Sequence, residues 1–336
     1  MRIFHCRLFR TCAALAAALV LLSGCSRSGP ERKKYTYYDA FDTVISLTVY
    51  DDDFSPEVFE ERLAYLDGVF DAYEPHEGIA GVYALNHAGG EWLEVAPELY
   101  ALLEACQENY ARFDRRVNIL MGNLTGLWRR YREAGVAIPD ARELAAAAAH
   151  TDPTGLELDG EGRARMTDPQ STLDVGAVAK GYAVELLAQM LEQDLSSFLI
   201  DAGGNVRAGG KPLDGRESWT VGVQDPSDAS RYVCKLALSN MSAVTSGGYQ
   251  RCYEVDGVRY HHLIDPDTYM PANYVLQVTI LTEDSLLADY LSTEAFLLPY
   301  ERSRARIDAL EGVEAIWVQY DGTVEMTDGA RAMTVK

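Results

Sequence analysis

Two carboxylates, a lysine and a hydroxyl stand in this sequence where they could handle a phosphate. Asp174 and Lys180 flank a glycine turn in LDVGAVAKGYA, residues 173–183. The stretch reads as a buried strand end over Leu173, Asp174 and Val175, a turn at Gly176 and a helix that starts near Ala177. Ala179, Ala183, Leu186, Leu187 and Met190 then recur at helical spacing as one apolar face. A helix start offers unpaired N–H groups and the positive end of the dipole, which suits a phosphate. An acid before that start and a lysine one turn inside it fit metal-assisted phosphate chemistry. An ordinary strand–turn–helix with a solvated lysine fits the same residues equally. Asp289 and Thr293 form a second pair, at i, i+4 on a helix expected over 285–298. A carboxylate and a hydroxyl so placed are hard oxygen ligands suited to Mg²⁺. Leu286 and Phe296 on the same helix turn the pair inward or toward a cleft. In a third cluster, Tyr260 to Pro266, His261 and His262 follow a strand and so face opposite ways, which rules against both binding one metal. His262 can carry a proton near neutral pH, or be a packed, hydrogen-bonded histidine.

The elements that must position these groups can be read from periodicity and punctuation. Residues 35–50 alternate like one strand and end in the turn Asp51, Asp52, Asp53. Ser55-Pro56 caps a helix that runs to about Asp71 with Phe59, Leu63, Leu66 and Phe70 on one face. Residues 73–86 read as loop and 92–95 as a short extended piece, and Pro97 opens a second helix carrying Leu99, Leu102, Leu103 and Cys106. Residues 108–128 have no clear period. Pro139-Asp140 with Glu143 has the form of a capping box. Strands are expected over 198–200, 219–223 and 274–281, hairpins around Asp256-Gly257 and Asp321-Gly322, and a last helix over 303–310. Hairpins and separate helices in this order favour an α+β fold over a doubly wound sheet. GGNVRAGG, residues 203–210, lacks the G-x-G-x-x-G spacing ahead of a helix, which excludes a dinucleotide fingerprint. Gly181 inside the first site helix costs ~1 kcal/mol against Ala, a cost that close packing beside a bulky ligand or a strand would justify.

The chain of 336 residues carries a formal charge of −21. So acidic a surface argues against nucleic acid as a partner, because phosphate backbones are bound by Lys and Arg. A phosphate ligand would need a local lysine or a metal. At the N-terminus, Arg2, Arg7 and Arg10 precede an apolar run over 13–22 and the tetrapeptide Leu22-Ser23-Gly24-Cys25. This is a targeting segment, too short to span a bilayer permanently. LSGC resembles a bacterial lipobox, in which the cysteine is lipidated and becomes the new first residue. Removing the three arginines takes the charge from −21 to −24. Residues 1–24 are then signal, 25–34 the lipidated cysteine with a polar tether, and 35–336 the folded unit. Cys106, Cys234 and Cys252 remain, with no CxxC spacing. Free thiols are the expectation, with a Cys234–Cys252 bridge open in an oxidising compartment.

Taken together, the motifs resemble those of the ApbE family of flavin transferases. The resemblance is carried by FDTVISLTVY (41–50), FDRRVNILMGNLTGLW (113–128), LDVGAVAKGYA (173–183), DAGGN (201–205), SAVTSGGYQR (242–251), RYHHLIDPDT (259–268) and ADYLSTEAF (288–296). It implies largely antiparallel sheets packed with helices, related to the T-fold. It also implies an FAD:protein FMN transferase, which moves FMN from FAD onto a threonine of a target protein, releases AMP and requires Mg²⁺. Carried onto this chain, it places Mg²⁺ on the carbonyl of Ala177 and the side chains of Asp289 and Thr293. Lys180 would lie against the diphosphate and Asp174 would line the FAD site. Phe41, Tyr73, Arg112, Phe113, Asp114 and Leu263 would contact FAD, and His262 is the candidate base. Phe41 stands where many members have Met, and Tyr269 replaces the Gly of D-P-x-T-G. Two other readings share the site: an FAD diphosphatase that uses water, and a lipoprotein that binds flavin without turning it over. The expected location is the extracytoplasmic face of a membrane, through the lipid anchor.

Overall fold

Eight antiparallel strands lie side by side in the order in which the chain makes them. They are Lys33–Ala40, Thr43–Val49, Phe198–Ala202, Asn205–Gly209, Met241–Gly247, Gln277–Thr282, Glu314–Val318 and Val324–Met326. The computed structural model describes residues 30–336, so the signal segment and Cys25 lie outside the described residues.

Both faces of this sheet are covered, and the pleat divides its residues between two cores. On one face, Ile45, Leu47, Val49, Val244, Val278 and Ile280 pack against the helices Pro56–Phe70, Ala179–Leu191 and Ser285–Phe296. On the other, Ala208, Ala243, Leu281 and Ile316 meet Trp219, Val223, Leu236 and Leu238 of a second, three-stranded sheet. That sheet consists of Trp219–Asp225, Asp228–Leu238 and Thr334–Val335. The antiparallel α+β architecture is thus the one the order of elements led us to expect.

Several elements differ from the sequence reading. Residues 35–50 form two strands, folded back at Phe41-Asp42, where both residues have positive φ (54° and 51°). The alternation runs unbroken through this turn and neither residue is glycine, so its pattern resembles one long strand. The turn is held by Asp67, whose carboxylate accepts the N–H of Phe41 at 2.7 Å. Leu173, Asp174 and Val175 belong to no strand. Leu173 is gripped instead by the side-chain amide of Asn86, which bonds its N–H at 2.7 Å and its carbonyl at 3.0 Å. Asn86 ends a short helix, Val82–Asn86, inside the stretch expected to be loop. The strand Asp228–Leu238 was missed because its first half is polar and exposed. The capping box is present: Asp140 accepts from the N–H of Glu143 at 2.8 Å, and Glu143 accepts from that of Asp140 at 2.9 Å. Cys106, Cys234 and Cys252 are free, and only Cys106 is buried.

The Ala179–Leu191 and Ser285–Phe296 helices cross with no room between them at Gly181. A Cβ built there would lie 2.4 Å from both the Cβ of Asp289 and the carbonyl oxygen of Ser285. The reason for a mid-helix glycine is therefore another helix, rather than a ligand or strand. Gly181→Ala must push the two helices apart, and overpacking of this kind costs about 1–3 kcal/mol. Denaturant unfolding should show that loss; an unchanged midpoint would mean that the helices separate freely.

Candidate active site

The helix crossing at Gly181 also builds the first half of the site. Asp289 is buried, and its Oδ2 accepts the N–H of Gly181 at 2.7 Å. In an uninterrupted helix that N–H would bond the carbonyl four residues earlier, which is Ala177. No such bond forms, and among the described residues no hydrogen bond ends on the Ala177 carbonyl. Ala177 lies in the turn at Gly176–Val178, and the regular helix begins at Ala179. Gly181 lies in the first turn, where helical N–H groups lack intrahelical acceptors, so Asp289 caps the helix start and the Ala177 carbonyl beside it stays unclaimed.

One turn along, Thr293 is buried, and its Oγ1 lies 3.3 Å from the Oγ of Ser246. Ser246 also pairs with Ser292 at 2.8 Å. Burial raises the Asp289 carboxyl above its ordinary value, while Lys180, the Gly181 N–H and the amide of Asn205 favour its charged form. A buried carboxylate needs a compensating positive group. Among the described residues no cluster of three His, Cys, Asp or Glu could hold a metal ion. A cation seated here would draw on one carboxylate, a hydroxyl and a carbonyl, all hard oxygen donors that Mg²⁺ accepts.

The second half of the site is His262, which feels the positive charges of Arg251, Lys180 and Arg132. His262 follows the hairpin Cys252–Val255 and Val258–His261. The two histidines do part company. His261 is buried, with Nε2 2.7 Å from the carbonyl of Ala272 and its ring edge-on to Phe296. The buried Nδ1 of His262 has no hydrogen-bond partner. Its pKa is pushed down to about 3, first by burial and then by the charges of Arg251, His261, Lys180 and Arg132. Arg132 is itself lowered by burial and by its neighbours Arg251 and Arg129. A strongly acidic chain therefore concentrates cations at one place. Lys180 was visible in the sequence, where no pattern linked Arg132 to Arg251.

A cleft of about 500 Å³ is bordered by Tyr73, Gly122, Thr125, Leu173 and Asp174, while Lys180, His262, Asp289 and Thr293 are not on its wall. Asp174 is held by two hydrogen bonds, from the N–H of Gly176 at 2.8 Å and the hydroxyl of Thr125 at 2.6 Å. Phe41 borders a small gap beside Lys180. Leu263 is tucked inside, its N–H bonded to His261 and its carbonyl to Ala272.

Arg112, Phe113 and Asp114 are absent from the cleft wall. Phe113 is buried with its ring 5.6 Å from that of Tyr290, and Arg112 covers its other side at 4.9 Å. Asp114 is bound to Arg302 and Arg306, both at 2.6 Å, which hold its carboxyl below the usual range. These three residues are committed to contacts within the protein, about 100° around the Ser285–Phe296 helix from Asp289. What fastens them there is Glu294, which no sequence signal singled out. Its carboxylate accepts the N–H groups of Asp114, Arg116 and Val117 at 2.6, 3.1 and 3.2 Å.

The description "ApbE family" belongs to the family pattern that matches residues 41–317 of the chain. The FAD:protein FMN transferase of Klebsiella pneumoniae (strain 342) is 34% identical over 242 residues, 70% of this chain and 74% of that protein. The protein of the same name from Treponema pallidum (strain Nichols) is 34% identical over 263 residues, 73% of this chain and 72% of its own. The crystal structure of the ApbE protein of Thermotoga maritima superposes with a TM-score of 0.82 at 27% identity, covering 91% of this chain and 100% of that one. The apo flavinyl transferase ApbE of Pseudomonas stutzeri, at 24% identity, shares the fold with a TM-score of 0.79. By the family pattern, by relatives aligned over more than two thirds of their length and by its fold, this chain belongs to the ApbE family.

Proposed function

We propose that the chain is an FAD:protein FMN transferase that uses Mg²⁺ to move FMN from FAD to a threonine hydroxyl of a target redox protein, with release of AMP. The observation that carries this reading is the Gly181–Asp289 contact. It sets a buried carboxylate and an unclaimed carbonyl at the mouth of a helix, beside Thr293 and Lys180. Ala177, Asp289 and Thr293 would hold the Mg²⁺, which when bound neutralises charge on the diphosphate oxygens.

The protein's own groups account for the rest. Lys180, Arg132 and Arg251 attract and orient the diphosphate within an otherwise repulsive field. The oxygen of the acceptor threonine bonds to the phosphorus on the FMN side. The bond from that phosphorus to the bridging oxygen breaks, and AMP leaves with the electron pair. Alignment and charge neutralisation carry most of such a step. His262, neutral in the free protein, takes the threonine proton. We also propose export and anchoring through lipidated Cys25 on the extracytoplasmic side, supported by the basic start, the apolar run and LSGC.

Incubation of residues 26–336 with FAD and Mg²⁺, with and without a peptide bearing an acceptor threonine, should release AMP and label the peptide with flavin only when peptide is present. AMP without peptide would make the protein a diphosphatase, and bound FAD with no AMP would make it a carrier. Asp289→Ala should lower turnover at least a hundredfold and leave the melting transition cooperative; normal turnover would remove the metal site.

His262 gives a separate test in the free protein. Its folded pKa lies below the ordinary 6.5, so between pH 6.5 and about 3 the unfolded chain binds a proton that the folded one refuses. Stability from this group is full above pH 6.5 and is lost as pH falls. His262→Gln should therefore gain thermal stability relative to the parent as pH drops from 7 to 4.5. A difference that stays constant over that range would contradict the buried, neutral histidine. Finally, Cys25→Ala should free the protein from membranes in a fractionated host; continued membrane association would defeat the lipobox.

A further inference from the structure

Tyr73 is unusual in being both open and fixed. It borders the cleft beside Thr125 and Asp174, and 53% of it is exposed. An exposed tyrosine ordinarily samples several rotamers and must lose that freedom when a ligand stacks on it. Here the ordering is already done. The main chain is pinned by Asp71, whose Oδ1 accepts the N–H groups of Tyr73 at 2.7 Å and Glu74 at 3.2 Å. Its Oδ2 is in turn 2.9 Å from Nε2 of His76. The ring is pinned from behind by Arg129, whose guanidinium carbon lies 3.9 Å from the ring centroid. Arg129 is held by Glu133, one helical turn on, through a 2.8 Å bond from Nε.

One face of the ring is thus covered by a flat cation and the remaining surface opens on the cleft. A rigid aromatic plane at the edge of a cleft suits a second planar ring, and FAD carries two, the flavin and the adenine. Arg129 and Glu133 lie beyond residues 113–128, the stretch of this segment that carries the family resemblance. We propose that Arg129 is a positioning residue for FAD: it braces Tyr73 as a preformed shelf on which one planar ring of the substrate stacks. The inference rests on the transferase reading, in which Tyr73 meets FAD. A preorganised shelf acts on binding rather than on the chemical step.

The test measures binding of FAD, FMN and AMP separately to the whole protein without Mg²⁺, by flavin fluorescence quenching and calorimetry, alongside steady-state rates. Arg129→Met should weaken FAD binding about fivefold, the scale of a cation–π contact. It should raise KM with kcat within about twofold. The loss should fall on FMN alone or on AMP alone, which identifies the stacked ring. Arg129→Lys, which keeps the charge but not the plane, should recover only part of it. The double variant with Tyr73→Ala should bind no worse than Tyr73→Ala itself. Equal losses for FMN and AMP, additive losses in the double variant, or normal FAD binding by Arg129→Met while Tyr73→Ala binds poorly would each overturn the proposal. Normal binding by Tyr73→Ala would instead show that Tyr73 does not meet FAD, while AMP release in the same samples reports separately on the transferase reading.

Discussion

Much of this molecule depends on one hydrogen bond between two helices, from the N–H of Gly181 to the carboxylate of Asp289. It requires a residue without a side chain, since a Cβ at 181 would meet Asp289 and the carbonyl of Ser285. It places a carboxylate in the interior, where only a strong donor or a cation keeps it charged. It also caps a first-turn N–H that has no acceptor within its own helix, while the Ala177 carbonyl nearby accepts no backbone hydrogen bond among the described residues. The surrounding packing keeps the crossing fixed. Glu185 accepts the N–H of Ser285 at 3.0 Å, and Arg207, buried in the sheet below, binds Glu192 at 3.0 Å and approaches Glu185 at 3.8 Å. The sheet and the two crossing helices are therefore tied together by carboxylates of the Ala179–Leu191 helix and its C-cap, within about three turns of Gly181.

The electrostatics follow from position rather than from total charge. A protein at −21 repels a diphosphate at long range, but salt screens that field within about 8 Å at physiological ionic strength. Inside that distance Lys180, Arg132 and Arg251 decide the local potential, and the depressed His262 records their presence. A histidine among cations is poorly basic until a polyanion arrives to balance them. In the proposed reaction, the cations that would attract the diphosphate are the same ones that lower the basicity of this imidazole beforehand.

The parts of the site legible in the sequence were those written in short-range spacing. Asp289 and Thr293 could be paired because a helix places i and i+4 on one face, and the glycine turn before Lys180 announced a helix start. The Asp256-Gly257 hairpin was equally plain, its positive φ values falling where that dipeptide tolerates them. Groups brought together over long distances left no such mark. Arg132 and Arg251 are 119 positions apart, and Thr125 reaches Asp174 from another helix. The Phe41-Asp42 turn hid for a different reason: the alternation of its strands passes through it, and what permits two positive φ values there is a tertiary bond to Asp67.

The FD pair at 113–114 makes contacts within the protein that its motif does not announce. The Ser285–Phe296 helix presents Asp289 and Thr293 to one neighbour and Tyr290 and Glu294 to another, because successive residues are 100° apart. Phe113 packs on Tyr290, and Glu294 gathers three N–H groups of the turn that follows. Asp114, locked to Arg302 and Arg306, joins that turn to the next helix, Tyr300–Asp308. The Phe113 and Glu294 contacts act directly on the helix that carries Asp289. The FD turn thus packs on a different face of that helix from the one that presents Asp289 to Gly181.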